Sequence, residues 1–129
     1  MKKILLITEH YWPENFRIND LSIELTKNEV SIHVLTGYPN YPEGKIYEGY
    51  KNNSWKEEIH DGVRIFRVPI MPRKNGTPLS LLLNYVSFVV SASFRLIFLK
   101  KDYDHIFVFE SSPITVCLPG IFAKKVLRF

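Results

Sequence analysis

Residues 2–36 read KKILLITEHYWPENFRINDLSIELTKNEVSIHVLT, and three patterns within this stretch decide the fold. Lys2–Thr8 carries a continuous apolar run without alternation, which is typical of a strand buried on both faces. Ile18–Asn28 places apolar residues at helical spacing, and Val30–Thr36 reads as a second strand. A strand, a helix and a strand within about thirty residues form a βαβ unit. The sheet is therefore predicted to be parallel.

Two further strands are predicted downstream, at Asp61–Ile70 and Asp104–Ser111. Between them and the βαβ unit lies Gly37–Trp55, which has no helical or strand period and is rich in Gly, Pro, Asn and Tyr. Loops of more than about a dozen residues in compact domains are usually functional or disordered, and four tyrosines argue against disorder. We predict an α/β fold: one Rossmann-like open parallel sheet with flanking helices. If the strand order is 3-2-1-4, the ends of the first and fourth strands flank the ligand crevice.

Helix starts are suggested at two places. Asn19 or Asp20 is available as the N-cap of the first helix. Ser112 as N-cap and Pro113 at the first helical position would begin the last helix.

Composition narrows the class of partner. The 129 residues are 46% hydrophobic and 23% charged, with a net charge of +4 and a pI near 9.2. This charge suits phosphate, a nucleotide or a membrane surface, whereas the absence of a basic run or RNA-recognition signature disfavours nucleic acid. The single cysteine, Cys117, excludes an internal disulfide and a cysteine zinc cluster. No secretory signal is recognisable, so a cytoplasmic setting is expected.

The segment from Asn75 to Phe94 has no charged side chain and is long enough to span a membrane. Polar residues recur along it at three- and four-residue steps: Ser80, Asn84, Ser87, Ser91 and Arg95. Such a stripe favours a helix packed within the domain over one that lies on the membrane surface, and a true span is least favoured. Basic residues flank the segment and would help surface binding: Arg73, Lys74, Lys100 and Lys101.

The loop TEHYWPENFRIND, residues 8–20, follows the first strand at the edge where open α/β sheets bind ligands. Glu9 and His10 are candidates for a general base or for acceptor binding. Tyr11 and Trp12 are candidates to stack on sugar or lipid, and so is Phe16 unless it staples the helix start.

Charged groups near the same edge leave two alternatives open. Arg17 either holds a phosphate or carboxylate, or forms a salt bridge to Glu14 or Asp20. Glu110, at the end of the fourth strand, either caps a helix or binds hydroxyls. The loop lacks G-x-G-x-x-G, so a dinucleotide cofactor is disfavoured.

Four strings, taken together, resemble the N-terminal part of family 4 glycosyltransferases: ILLITEHYWPENFRINDLSIEL, VLTGYPNYPEGKIYEGY, GVRIFRVPIMPR and LNYVSFVVSASF…DHIFVFESSPITVCLP. The most similar branch assembles cell-surface polysaccharides (colanic acid, O-antigen, aminosugar transfer). The resemblance implies a GT-B enzyme that moves a sugar from a nucleotide-sugar to a saccharide acceptor, often lipid-linked. It implies retaining chemistry, no metal and no cofactor, since the nucleotide-sugar is a substrate.

The resemblance also implies site residues. Many relatives have Gly-Gly facing the donor phosphates where this chain has residues 14–19, which include Glu14, Asn15, Arg17 and Asn19. Arg17 is expected to bind the phosphates in place of the glycine backbone. A second-loop motif, a plausible acceptor lip, is matched by Asn40, Tyr41, Pro42, Gly44 and Lys45. The fourth-strand motif is matched by Glu110, Ser112 and Pro113.

Departures from the family bear on activity. Asn28-Glu29-Val30 stands where relatives read Gly-His-Glu, so Asn28 is expected to end the helix in the left-handed conformation. The DLWPE strand and the donor domain with its E-x7-E pair are not in the chain, so residues 1–129 are expected to be a truncated acceptor-side domain, inactive alone. The alternative is a non-catalytic subunit of a split transferase that binds the acceptor. Peripheral contact with the inner face of the plasma membrane is expected through segment 75–101.

Overall fold

The computed structural model describes residues 1–74, 76–109 and 117–127. Its strands and helices, in chain order, are β1 (Lys3–Ile7), α1 (Arg17–Lys27), β2 (Ser31–Gly37), β3 (Lys56–His60), β4 (Val63–Val68), α2 (Pro78–Leu96), β5 (His105–Val108) and α3 (Cys117–Val126). They form an α/β fold with a five-stranded sheet of order β3-β4-β2-β1-β5.

The strand order 3-2-1-4 is found for the four apolar strands, which are all parallel. The prediction of a wholly parallel sheet is wrong, because β3 adds an antiparallel strand at one edge, with Glu58 opposite Ile65. The β3 sequence KEEIH has no apolar run to reveal it. Charged residues are tolerated there because an edge strand faces solvent on one side.

Two apolar layers cover the two faces of the sheet. On one face, Leu5, Ile7 and Leu35 pack with Phe88 and Leu96 of the α2 side. On the other, a layer that includes Leu6, Ile18, Ile32, Val34 and Ile65 packs beneath α1. Neighbouring positions of β1 and β2 thus point to opposite layers, which is why these strands read as continuous apolar runs.

Both ends of α1 differ from the prediction. The N-cap is Phe16, with extended backbone and no side-chain cap bond, and neither Asn19 nor Asp20 takes that place. The Asn19 amide instead donates to the Glu14 carbonyl, at 2.6 Å. At the other end Asn28 has φ −98°, and Glu29 is the residue with positive φ, at +62°.

Helix α2 packs against β2, β4 and α3, as predicted for a domain helix. Its buried residues are Asn84, Phe88, Ala92 and Leu96. By length and composition α2 is also long and apolar enough to cross a membrane. The predicted cap of the last helix, Ser112 and Pro113, lies outside the described residues.

Candidate functional site

The candidate site lies where the carboxyl ends of three parallel strands meet. Glu9 and His10 follow β1, Asn40 and Tyr41 follow β2, and Arg73 follows β4. In open α/β sheets this edge is the usual ligand-binding edge, because the loops of adjacent strands converge there.

A buried carboxylate joins the first two loops. Glu14 is fully buried, and its Oε2 lies 2.9 Å from Nδ1 of His10. The same oxygen accepts hydrogen bonds from the backbone N–H of Asn40, at 3.1 Å, and of Tyr41, at 2.7 Å. Glu14 and Asn19 were predicted to bind substrate. Both are buried: Glu14 holds the two loops together, and Asn19 donates to the carbonyl of Glu14.

Glu9 is buried beside this junction without a partner. Its side chain is 3% exposed, neither carboxylate oxygen has a hydrogen bond, and Oε2 lies 3.8 Å from Nε2 of His10. Burial raises the pKa of the Glu9 carboxyl to about 7, and the nearby charges of His10 and Arg73 partly oppose the effect. An unsatisfied buried carboxyl is costly, so such groups usually serve a ligand or a proton. We call Glu9, His10 and Glu14 the Glu9 cluster.

His10 is held in a defined orientation. Its ring stacks on Phe16, with centroids 5.3 Å apart, and packs at a tilt against Tyr41, at 5.5 Å. Because the Glu14 carboxylate accepts at Nδ1, that nitrogen carries a proton, and the other ring nitrogen, Nε2, faces Glu9.

A cleft of about 640 Å³ is lined in part by Tyr41, whose ring packs against His10 of the Glu9 cluster. Its lining residues are Tyr41, Pro42, Glu43, Lys45, Arg73, Lys74 and Gly76. Arg73 lies over the Tyr41 ring, at 5.2 Å from the centroid. The wall is therefore aromatic and cationic, a chemistry that suits sugar rings and phosphate. We call this the Tyr41 cleft.

The other predicted site residues differ in how far they are buried. Tyr11 is fully buried and bonded to Ser22, so it belongs to the core and not to a ligand surface. Trp12 is half-buried and stacks on His60, with centroids 3.6 Å apart.

Asn15 and Arg17 are exposed at the start of α1, and Arg17 forms no salt bridge to Glu14 or Asp20. Glu110 and Ser112 lie outside the described residues.

One arginine that organises the site was missed. Arg67 is fully buried and donates to Glu58, at 2.6 Å, to the carbonyl of Gly37, at 3.0 Å, and to the carbonyl of Trp12. The sequence held a signal for Arg67: Arg64 and Arg67, three apart on one strand, must face opposite sides of the sheet. One of the two therefore had to point inward.

Within residues 1–74, 76–109 and 117–127, no group of three or more His, Cys, Asp or Glu side chains is placed to hold a metal ion.

Comparison with known proteins gives one relationship to report. No family model matches the chain. The chain is 27% identical over 124 residues to the Escherichia coli (strain K12) protein named "Putative colanic acid biosynthesis glycosyl transferase WcaI". The match covers 92% of this chain and 30% of that protein, so the chain spans less than a third of its relative. The similarity relates the chain to glycosyltransferases, and its α/β sheet is consistent with part of a Rossmann-like glycosyltransferase domain.

Proposed function

We propose that the chain is the acceptor-side part of a family 4, GT-B glycosyltransferase. It would help move a sugar from a nucleotide-sugar to a lipid-linked saccharide during synthesis of a cell-surface polysaccharide such as colanic acid, O-antigen or capsule. The observation that carries the proposal is the unpartnered, buried Glu9 carboxyl at the carboxyl edge of a sheet related in sequence to a glycosyltransferase. A saccharide hydroxyl would supply the hydrogen bond that Glu9 lacks.

The Glu9 cluster suits the proton transfer that the reaction requires. Sugar transfer breaks the bond from the anomeric carbon to the diphosphate and forms a bond to an acceptor oxygen, which must lose its proton. A carboxyl with a pKa of about 7 accepts and releases a proton readily near neutral pH. In this proposal Glu9 accepts the hydroxyl proton, and His10, oriented by Glu14, stabilises the carboxyl from its other side.

The Tyr41 cleft supplies the acceptor lip. Tyr41, 38% exposed, offers a ring face to a sugar, and Lys45 and Arg73 offer charge to a lipid diphosphate. Asn40 contributes by shape, since its side chain already donates to the carbonyl of Tyr38, at 3.0 Å. Arg17, exposed at the start of α1, remains a proposed contact to the donor phosphates, with Asn15 beside it.

In the same proposal the nucleotide is bound mainly by a donor domain outside residues 1–129. The nucleotide-sugar is a substrate, and no resident cofactor or metal is invoked. The reaction is placed at the cytoplasmic face of the plasma membrane, where a lipid-linked acceptor would be met.

The test follows release of UDP or GDP from nucleotide-sugars with a mixed pool of lipid-linked acceptors. The chain is assayed alone and with a polypeptide that carries the donor half. Turnover on mixing, and none by either part alone, would support the acceptor-side role. In the active mixture, Glu9→Gln is expected to lower kcat/KM by about 100-fold or more. The control Glu24→Gln, on the exposed face of α1, is expected to leave turnover unchanged.

Two results would contradict the proposal. Turnover by residues 1–129 alone would remove the need for a donor domain. Wild-type turnover by Glu9→Gln would remove Glu9 from the reaction. Binding of the acceptor pool by this chain without turnover in any mixture would favour the alternative, a non-catalytic acceptor-binding subunit of a split transferase.

A further inference from the structure

The orientation of α2 is inverted relative to an ordinary surface helix. Its polar residues face the protein: Ser80 Oγ donates to the carbonyl of Arg73, at 2.9 Å, and Asn84 Nδ2 donates to the carbonyl of Met71, at 2.7 Å. At the far end, Arg95 is 12% exposed and pairs with Glu57, at 3.2 Å. A helix at a water interface normally turns this stripe outward.

Apart from the buried Phe88, Ala92 and Leu96, large apolar residues of α2 face outward. They form a continuous stripe at helical spacing with exposures between 38% and 66%, which we call the outer stripe: Leu79, Leu82, Leu83, Val86, Val90 and Phe94. A contiguous exposed apolar surface of this kind marks an interaction site.

An aromatic cluster extends the outer stripe at its C-terminal end. The rings of Trp55, Phe94 and Phe98 lie within 5.5 Å of one another, centroid to centroid, and all three side chains are exposed. Arg95 lies over the Trp55 ring, at 5.1 Å. Tryptophan beside cationic side chains is enriched where proteins meet the headgroup region of a bilayer.

The charge around the outer stripe favours an anionic partner. Residues 62–101 contain seven Lys or Arg and no Asp or Glu. Lys74 precedes α2 and is exposed, and Lys100 and Lys101 follow it and are exposed. An apolar stripe with basic ends matches the surface of a membrane that contains anionic lipids.

We infer that the outer stripe docks the chain on an anionic membrane surface, with the α2 axis parallel to the bilayer. The helix would lie on the membrane and would not cross it, because the hydrogen bonds of Ser80 and Asn84 hold its other side to the domain. The 19 residues of α2 span roughly 28 Å at 1.5 Å each. Their N-terminal end adjoins Arg73 and Lys74, so docking would place the Tyr41 cleft at the lipid surface.

This inference deepens the proposed function, since a cleft at the lipid surface would receive a lipid-linked acceptor. Its test needs no donor or acceptor. Vesicle binding without sugar transfer would refute only the proposed function, and transfer to a water-soluble acceptor without vesicle binding would refute only the docking.

The test is co-sedimentation of the full chain with vesicles of equal parts phosphatidylglycerol and phosphatidylcholine, and with vesicles of phosphatidylcholine alone. We expect binding to the anionic vesicles that weakens as salt is raised. The triple variant Leu82→Gln, Val90→Gln, Phe94→Gln is expected to bind at least about 100-fold more weakly, since three large apolar side chains no longer enter the lipid. Replacing Lys100 and Lys101 with glutamine is expected to weaken binding about twentyfold at low salt.

The control replaces two exposed apolar residues on the α1 side of the sheet, as Leu21→Gln and Phe107→Gln, and is expected to bind as the wild type does. Circular dichroism and urea unfolding establish that each variant is folded. Equal binding to neutral and anionic vesicles, or wild-type binding by the outer-stripe variant, would overturn the inference. If the wild type binds no vesicles but forms a dimer that the outer-stripe variant does not form, the stripe would instead contact a second copy of the chain. If the chain stays in the membrane during alkaline carbonate extraction, α2 would instead span the membrane.

Discussion

Replacing Glu9 with glutamine is expected to stabilise the protein at alkaline pH while removing a group that the proposed reaction needs. Glu9 is 3% exposed and its two carboxylate oxygens have no hydrogen-bond partner. Glutamine has nearly the same shape and carries no charge. The substitution therefore removes the cost of burying an ionised carboxylate without opening a cavity.

The magnitude follows from the pKa. Burial raises the pKa of the Glu9 carboxyl from 4.5 to about 7. Below pH 4.5 the carboxyl is protonated in the folded and the unfolded chain. Between pH 4.5 and about pH 7 the carboxyl loses its proton in the unfolded chain but keeps it in the folded chain, so the free energy of unfolding falls as pH rises. The pKa difference of about 2.5 corresponds to ~3 kcal/mol, all of it lost above about pH 7.

The measurement is urea unfolding below pH 4.5 and at alkaline pH, for the wild type, Glu9→Gln and the control Glu24→Gln. Glu9→Gln is expected to match the wild type at acidic pH and to exceed it by ~3 kcal/mol at alkaline pH. The control should follow the wild type at both, because Glu24 is exposed. A Glu9→Gln variant with wild-type stability at both pH values would refute the argument that Glu9 is ionised at a cost.

Three further substitutions test the packing beneath the site, each by urea unfolding. Arg67→Met is expected to lower the free energy of unfolding by about 3 kcal/mol, because its buried guanidinium joins a carboxylate and two carbonyls. Arg64→Met, at an exposed position of the same strand, should lower it by less than about 1 kcal/mol. Equal losses for the two variants would contradict this role of Arg67. Gly44→Ala is expected to lower the free energy of unfolding by about 2 kcal/mol or more, since its φ is +74° and a Cβ would lie 2.2 Å from a backbone oxygen. Gly49→Ala, at φ +88° but in open space, should lower it by less. A larger loss for Gly49→Ala would be inconsistent with the contact at Gly44. Tyr11→Phe removes one buried hydrogen bond and should lower the free energy of unfolding by about 1 kcal/mol. An unchanged free energy of unfolding would indicate that the Tyr11 hydroxyl is in solvent.

Much of the site's location followed from local pattern. The loops after the first two strands were identified as the ligand edge, and Glu9, His10 and Tyr41 are found there. The roles of individual side chains were less predictable. Glu14 and Tyr11 share a loop with Glu9, but one holds a neighbouring loop and the other fills the core. Which side chain of a loop turns inward depends on contacts with residues far along the chain, and single-sequence periodicity carries no such information.

Arg67 and the edge strand β3 show a related limit. The KEEIH segment pairs with β4 because Glu58 meets Arg67, a contact between two polar residues nine positions apart. Apolar periodicity detects strands that are buried on a face, so it passes over a charged strand held by an ion pair and backbone bonds.

Local periodicity was enough to predict the βαβ unit and the long loop. Each of these depends on apolar spacing and on the handedness of short connections. The spacing of α2 likewise revealed one polar stripe on an otherwise apolar helix. Only the tertiary structure decided that the polar stripe faces inward. That orientation depends on hydrogen-bond partners at Met71 and Arg73, which belong to a different segment and leave the apolar stripe exposed.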